Sequence, residues 1–366
     1  MFIPFALLCL VIFLFVNSQG KGTPVLLYHQ VNPLINVTPE LFEEHLNYID
    51  SKYQTFTYTE AYDYVRQHGA LPACSLLITF DDGYYDNYKI VFPLLKKYNI
   101  KATFFINTLF IGNERRVEDT PFEISEEANK KALLAFYQTG NGVSSQYMTK
   151  HEIQEMQDSG LCDFQAHTHT HAAVIVSDEL IGFRTAHHHD SSPIHTFQGA
   201  VVEGYPLFKS RGTTTASGFK LDLDKANAFA QQWKEAWQHL EKAEALKKGS
   251  EYIKEHKVLI PYTEEEAKAR VINEIQINKE LLQKITNKPV QFFAWTWGHR
   301  SAWGQAILAK EGIVGFISCK KGGIGLKPNW MNLKRVELRD PSLKQLKKNL
   351  MINTNGLTSW IYSLVS

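Results

Sequence analysis

The sequence has few cysteines and almost no excess of charge of one sign. Its four cysteines form no Cys-x-x-Cys pair, so neither a disulfide framework nor a cysteine zinc site is indicated. The 39 Lys and Arg residues nearly balance the 38 Asp and Glu residues, which gives a net charge of +1. Because such a chain has no strong positive field, nucleic acid is not expected as a partner.

The chain also lacks the polar bias of a disordered protein. Hydrophobic residues make up 44% and charged residues 21% of the sequence, as in ordinary globular proteins. The length of 366 residues suits two domains, or a single α/β barrel of about 250 residues with additions.

No charged residue interrupts the apolar run from Phe2 to Val16. The run is shorter than the about 20 residues of a membrane span, and it has neither a basic start nor a good cleavage site. We expect residues 1–20 to be a signal peptide or an N-terminal membrane anchor, with a buried first helix as the alternative. The chain is therefore expected to be exported, in the periplasm or cell envelope or anchored to a membrane and facing outward.

Short apolar runs alternate with helical stretches in the rest of the chain. Capping boxes at Thr149–Glu152 and Thr263–Glu266 predict two helix starts, and Thr38 before a proline predicts another. Continuous apolar runs indicate buried parallel strands, and they are found at 24–28, 76–80, 102–106, 291–295 and 313–317. This alternation predicts an α/β fold with a parallel sheet covered by helices.

An insertion at about 172–288 breaks the alternation. Its first part, up to Gly218, is rich in Gly, Ser, Thr and His and is expected to be loop. Its second part is expected to be helical, with one apolar face packing against the barrel. That face consists of Phe229, Trp233, Trp237 and Leu240.

Residues able to perform chemistry follow the predicted strands. Asp81 and Asp82 come directly after one apolar run, and three alternating histidines occupy 167–171. One carboxylate and two imidazoles suit zinc or a similar metal, with a coordination position left for water. From the residues alone, any two of the three histidines could be ligands, and Asp81-Asp82-Gly83 could be a simple turn. His29, after the first strand, could equally be a core residue.

Several motifs together resemble those of the polysaccharide deacetylase family (NodB homology, carbohydrate esterase family 4). They are Thr79–Gly83 (TFDDG), Lys101–Ile106, Met148–Ile153 and His167–His171. The opening Pro24–His29 is similar to a permuted branch typified by poly-N-acetylglucosamine deacetylases. The likeness implies an irregular (β/α) barrel with a large loop-plus-helix insertion, in one deacetylase domain over 21–366, with its site at the C-terminal barrel face.

The resemblance assigns a role to each candidate. Asp82, His167 and His171 would bind one divalent metal, with zinc expected. Asp81 would be the general base and His29 the acid that protonates the departing amine.

The fourth family motif differs from the usual pattern. By analogy, the backbone N–H of Trp297 would stabilise the oxyanion. The rings of Trp295 and Trp297 could contact a sugar, and packing in the core is the equal alternative for both. Ala294 stands where an arginine often orients the base. Arg211 and Arg300 are the candidates to replace it, although each could be an ordinary surface arginine.

These expectations predict a metal-dependent hydrolase that removes N-acetyl groups from the amino sugars of a glycan. Two alternatives stay open: a carbohydrate-binding protein that has lost turnover, suggested by Ala294, and an O-acetyl esterase. His187–His189 could belong to a mobile lid, to a solvated loop or to a second metal site.

Overall fold

The computed structural model describes residues 13–18, 20–113, 115, 127, 146–184 and 202–364. Most of the apolar leader, and the cluster His187–His189, lie outside these residues. Among the described residues, none of the helices is both long enough and apolar enough to span a bilayer.

The described strands fall into two sheets. In chain order they are β1 (Thr23–Tyr28), β2 (Gln54–Phe56), β3 (Ser75–Asp82), β4 (Ala102–Ile106), β5 (Cys162–Ala166), β6 (Ala173–Phe183), β7 (Pro206–Gly212), β8 (Phe219–Leu221), β9 (Leu259–Pro261), β10 (Phe292–Ala294), β11 (Gly315–Ile317), β12 (Gly323–Ile324) and β13 (Val336–Glu337).

The described helices cover the larger sheet or pack on the smaller one. They are α1 (Pro39–Asp50), α2 (Tyr58–His68), α3 (Phe92–Tyr98), α4 (Lys150–Asp158), α5 (Leu223–Gln232), α6 (Lys242–His256), α7 (Glu264–Thr286), α8 (Ala302–Lys310), α9 (Leu343–Thr354) and α10 (Gly356–Leu364). The predicted caps are present, because Thr38 accepts a bond from Leu41 N–H and both capping boxes form at the starts of α4 and α7.

The larger sheet is curled and mainly parallel, in the order β11-β10-β5-β4-β3-β1-β12, with β2 paired to β3 and β13 paired to β1. Its strands β1, β4 and β5 are buried throughout. Stacked rings of Phe80, Phe104 and Phe164 cross β3, β4 and β5 at centroid distances of 5.0 and 5.4 Å. Because all three rings lie in the buried core, burial of aromatic surface stabilises the central strands. The predicted α/β class is confirmed.

The smaller sheet is antiparallel, in the order β7-β6-β8-β9. The expectation of loop up to Gly218 was wrong over β6 and β7. Only some side chains of these strands are buried, so their sequence lacks the continuous apolar run that marks a parallel strand. The aromatic face of Phe229, Trp233 and Trp237 is core, as expected, but its cluster forms with residues of this smaller sheet and not with the barrel core.

The long helix α7 returns the chain from the insertion to the larger sheet. It packs against β5 and α4, and its buried residues include Val271 and Ile275 in the barrel core. One face of α7 therefore reaches the loop that follows β5.

Candidate metal and catalytic site

The carboxyl ends of β3 and β5 bring the predicted acids and histidines to one edge of the sheet. Asp81 and Asp82 end β3, and His167 follows β5 directly. Asp82 and Gly83 have φ values of 76° and 81°, so the chain turns sharply after the two acids. Parallel neighbouring strands end at the same edge, which explains why residues distant in sequence meet here.

Asp82, His167 and His171 form a compact group of three metal-ligand side chains. One ligand atom from each lies within 4.8 Å of the others, and the two Nε2 atoms are 3.4 and 3.5 Å from Asp82 Oδ1. That oxygen is buried and makes no hydrogen bond within the described part of the chain. A buried carboxylate oxygen flanked by two imidazole nitrogens fits a divalent cation.

The charge state of the group also suits a cation. Burial alone would raise the pKa of Asp82, but its contact with His167 and the nearby His171 and His29 hold that pKa well below its usual range. Asp82 is therefore a carboxylate at neutral pH.

The ring of His167 is oriented by the backbone of β10. Its Nδ1 lies 2.8 Å from the carbonyl oxygen of Ala294. Because a carbonyl only accepts, Nδ1 must carry the proton, and in the neutral ring Nε2 then presents its lone pair toward Asp82. Although the methyl side chain of Ala294 cannot orient a base, the carbonyl of this residue orients a candidate ligand.

His169 points elsewhere. Its Nδ1 lies 2.9 Å from Thr108 Oγ1, and it is not a member of the three-residue group. The structure thus distinguishes between the three histidines, which the residues alone could not do.

Asp81 is held by Arg335, a residue that the sequence did not single out. Arg335 Nη1 and Nη2 lie 2.7 and 2.8 Å from the two carboxylate oxygens, and both side chains are buried. Burial would raise the pKa of Asp81, whereas the charges of Arg335 and His167 lower it. The proposed replacements were wrong: Arg211 donates to the carbonyl of Arg300, and Arg300 bonds Asn332.

The two tryptophans of the fourth motif have different environments. Trp295 is 2% exposed and packs against Phe293 and Phe316, so of its two alternatives core packing holds and sugar contact was wrong. Trp297 is 37% exposed, and its ring centroid is 4.6 Å from that of His171. Of these two rings, only that of Trp297 is accessible beside the candidate ligands.

His29 lies in the loop after β1, close enough for its charge to lower the pKa of both Asp81 and Asp82. Asn87 Nδ2 donates to the His29 carbonyl at 2.9 Å. Asp86 accepts from the Val31 N–H at 3.1 Å. The loop is therefore anchored at both His29 and Val31 to the segment that follows the two acids.

Part of the chain matches known proteins in sequence. Residues 68–180 match the profile of the polysaccharide deacetylase family. The putative polysaccharide deacetylase YxkH of Bacillus subtilis (strain 168) is 38% identical over 106 residues, which are 28% of this chain and 38% of that protein. The poly-beta-1,6-N-acetyl-D-glucosamine N-deacetylase of Staphylococcus aureus (strain MSSA476) is 28% identical over 134 residues, 37% of each chain. The matches thus span less than two fifths of these relatives.

Solved structures share the fold over most of the chain. A de-N-acetylase from Aggregatibacter actinomycetemcomitans has a TM-score of 0.57 at 17% identity, covering 90% of this chain and 99% of that one. IcaB from Ammonifex degensii has a TM-score of 0.51 at 19% identity, covering 91% and 98%. The chain thus has the fold of these solved deacetylases, and residues 68–180 are similar in sequence to the polysaccharide deacetylase family.

Proposed function

We propose that this protein is a metal-dependent hydrolase that removes N-acetyl groups from the amino sugars of a polysaccharide. One observation carries the proposal: the partly buried group of Asp82, His167 and His171 lies directly beside the Asp81–Arg335 ion pair. A metal site next to an oriented base is one arrangement that can hydrolyse an unactivated amide. The names of the sequence relatives support an N-acetylated glucosamine polymer as the substrate class.

Asp82, His167 and His171 would hold the metal. Two imidazoles and one carboxylate favour zinc, and three protein ligands leave a position open. When bound, such an ion polarises a carbonyl oxygen and makes hydroxide available at neutral pH.

Asp81 would accept the proton of the attacking water. Its lowered pKa keeps it ionised at neutral pH, and the two bonds from Arg335 fix the plane of its carboxylate. A base held in one orientation needs no rearrangement when the proton moves.

His29 and Trp297 would complete the site. His29, in the loop after β1, would donate a proton to the leaving amine. Trp297 has a left-handed backbone, with φ 59°, and such strain in a non-glycine residue is typical of functional sites. Its N–H would stabilise the oxyanion, and its half-exposed ring would contact the sugar.

Acetate release from defined oligosaccharides tests the proposal. We expect release from N-acetylated β-1,6-glucosamine oligomers, and no release by Asp81→Asn. Preferential release from O-acetylated oligosaccharides would instead indicate the esterase. If both the wild type and Asp81→Asn bind the glycan and neither releases acetate, the carbohydrate-binding alternative is correct. That alternative was suggested by the missing arginine at position 294, and the Arg335–Asp81 ion pair weakens it.

We also propose export, with attachment to a membrane surface through the N-terminal apolar segment of a deacetylase unit covering 21–366. Exposed apolar side chains support the attachment, because Phe13 and Val16 are exposed near the helix that carries Trp360 and Leu364. Asn355 Nδ2 donates to the Phe15 carbonyl at 2.9 Å and joins the two segments. We expect the full chain to sediment with phosphatidylcholine vesicles, and we expect deletion of residues 1–16 to abolish this sedimentation. Unchanged sedimentation would contradict it.

A further inference from the structure

Helix α7 places two buried polar side chains, one turn apart, against the loop of residues 167–171. Glu274 is 7% exposed and Asn278 is fully buried. Burying polar groups destabilises a fold unless they find hydrogen-bond partners. The partners of both side chains include the backbone of the loop that carries His167 and His171.

Glu274 accepts three hydrogen bonds from this loop. Its Oε2 accepts the N–H groups of His169 and Thr170, both at 2.9 Å, and its Oε1 accepts the Thr170 hydroxyl at 2.5 Å. Charge-assisted bonds of this kind are stronger than neutral ones. One carboxylate thus fixes the backbone between the two candidate ligands.

Asn278 ties the same loop to the end of β4. Its Nδ2 donates to the carbonyl oxygens of Thr168 at 2.6 Å and Ile106 at 2.8 Å. Because β4 is a central strand of the larger sheet, this side chain holds the loop against a rigid element.

The loop needs such anchors because its backbone is strained. Thr168 and His171 have φ values of 69° and 54°, a left-handed conformation that is sterically unfavourable for non-glycine residues. The His171 N–H bonds Thr168 Oγ1 at 3.0 Å. Without the bonds from α7, the loop could relax and displace the His171 imidazole from Asp82.

We infer that Glu274 and Asn278 are positioning residues that preorganise the His167–His171 loop for metal binding. They would act through the loop, because both bond its backbone and neither belongs to the group of three ligand side chains. The inference rests on the proposed metal site and deepens it, since it places part of the metal affinity in α7, outside the matched residues 68–180.

Zinc titration of metal-free protein against a chromogenic chelator tests this role. In Glu274→Gln the amide has a single acceptor oxygen, so at least one of the three loop donors loses its partner. We expect zinc binding to weaken about 10- to 100-fold, as for outer-shell changes in other metal sites. The matched control, Glu280→Gln, changes an exposed residue of the same helix and should bind zinc like the wild type.

Thermal unfolding of the metal-free proteins separates positioning from a purely structural role. A lower unfolding temperature with unchanged zinc affinity in Glu274→Gln would overturn the inference. Asn278→Leu, similar in volume, is the second variant and should also weaken zinc binding; if Glu274→Gln does not fold, this variant decides. Failure of the wild type to bind zinc would instead refute the proposed metal site itself.

Discussion

Arg335 and Asp81 form a bidentate ion pair, with nitrogen–oxygen distances of 2.7 and 2.8 Å. The two residues are 254 positions apart in sequence, and they meet because β13 pairs with β1, beside β3. Arg335 Nη1 also lies 3.2 Å from Thr79 Oγ1, which fixes the guanidinium on two partners of one strand. The C-terminal part of the chain thus supplies the group that orients the proposed base.

Replacing Arg335 should damage both stability and catalysis. In Arg335→Met the Asp81 charge stays buried without its partner, which destabilises a protein by about 3–5 kcal/mol. We expect this loss in urea unfolding, with a fall in acetate release of at least about 100-fold in the protein that remains folded. Arg339→Met, at an exposed arginine, is the control and should change neither quantity appreciably. Wild-type acetate release by folded Arg335→Met would contradict the orienting role.

The left-handed backbone of Trp297 predicts that a glycine variant at this position is more stable than an alanine variant. Glycine adopts φ 59° without the steric cost that alanine has there. We expect Trp297→Gly to be more stable than Trp297→Ala by about 1 kcal/mol in urea unfolding, while both raise KM because both lack the ring. Equal KM values for wild type and variants would contradict sugar contact by Trp297.

His45 should make stability fall as the pH is lowered. Burial lowers the pKa of His45 to about 4, and its Nε2–H donates to the Pro341 carbonyl at 2.7 Å while Nδ1 faces Tyr28 Oη at 3.0 Å. The unfolded chain binds the proton first, near pH 6.5. The stabilisation is therefore complete above pH 6.5 and is lost as the pH falls toward 4.

Urea unfolding of wild type and His45→Gln between pH 7 and 4 measures this loss. We expect the wild type to lose about 3 kcal/mol more than the variant, from 1.36 kcal/mol per pKa unit. Burial raises the pKa of Asp86 to about 7, so this residue makes the protein more stable as the pH falls. Because both proteins contain Asp86, its contribution cancels when their free energies of unfolding are subtracted. Parallel curves would show that His45 does not titrate as described.

The sequence predicted the elements whose signals are local. Continuous apolar runs marked the parallel strands because both faces of those strands are buried, and capping residues marked α4 and α7 because a cap acts within one turn. The positions of Asp82 and His167 were informative because Asp82 ends one strand and His167 follows another directly. The roles of these residues remain predictions, although the structure brings the three together.

The residues that the sequence missed act through long-range contacts. Arg335 precedes a two-residue strand, and Glu274 lies in a long helix rich in charged residues, so neither differs locally from a surface residue. Trp295 and Trp297 belong to one motif, yet one is buried in the core and the other is accessible. The pairing and burial of these residues depend on the packing of segments that are far apart in the sequence.

Acetate release by metal-stripped protein, before and after addition of one equivalent of zinc, tests the central claim most directly. We expect no release from N-acetylated glucosamine oligomers by the stripped wild type, recovery on addition of zinc, and no recovery in Asp82→Ala. Full release by protein shown to contain no metal would contradict a reaction that depends on the group of Asp82, His167 and His171.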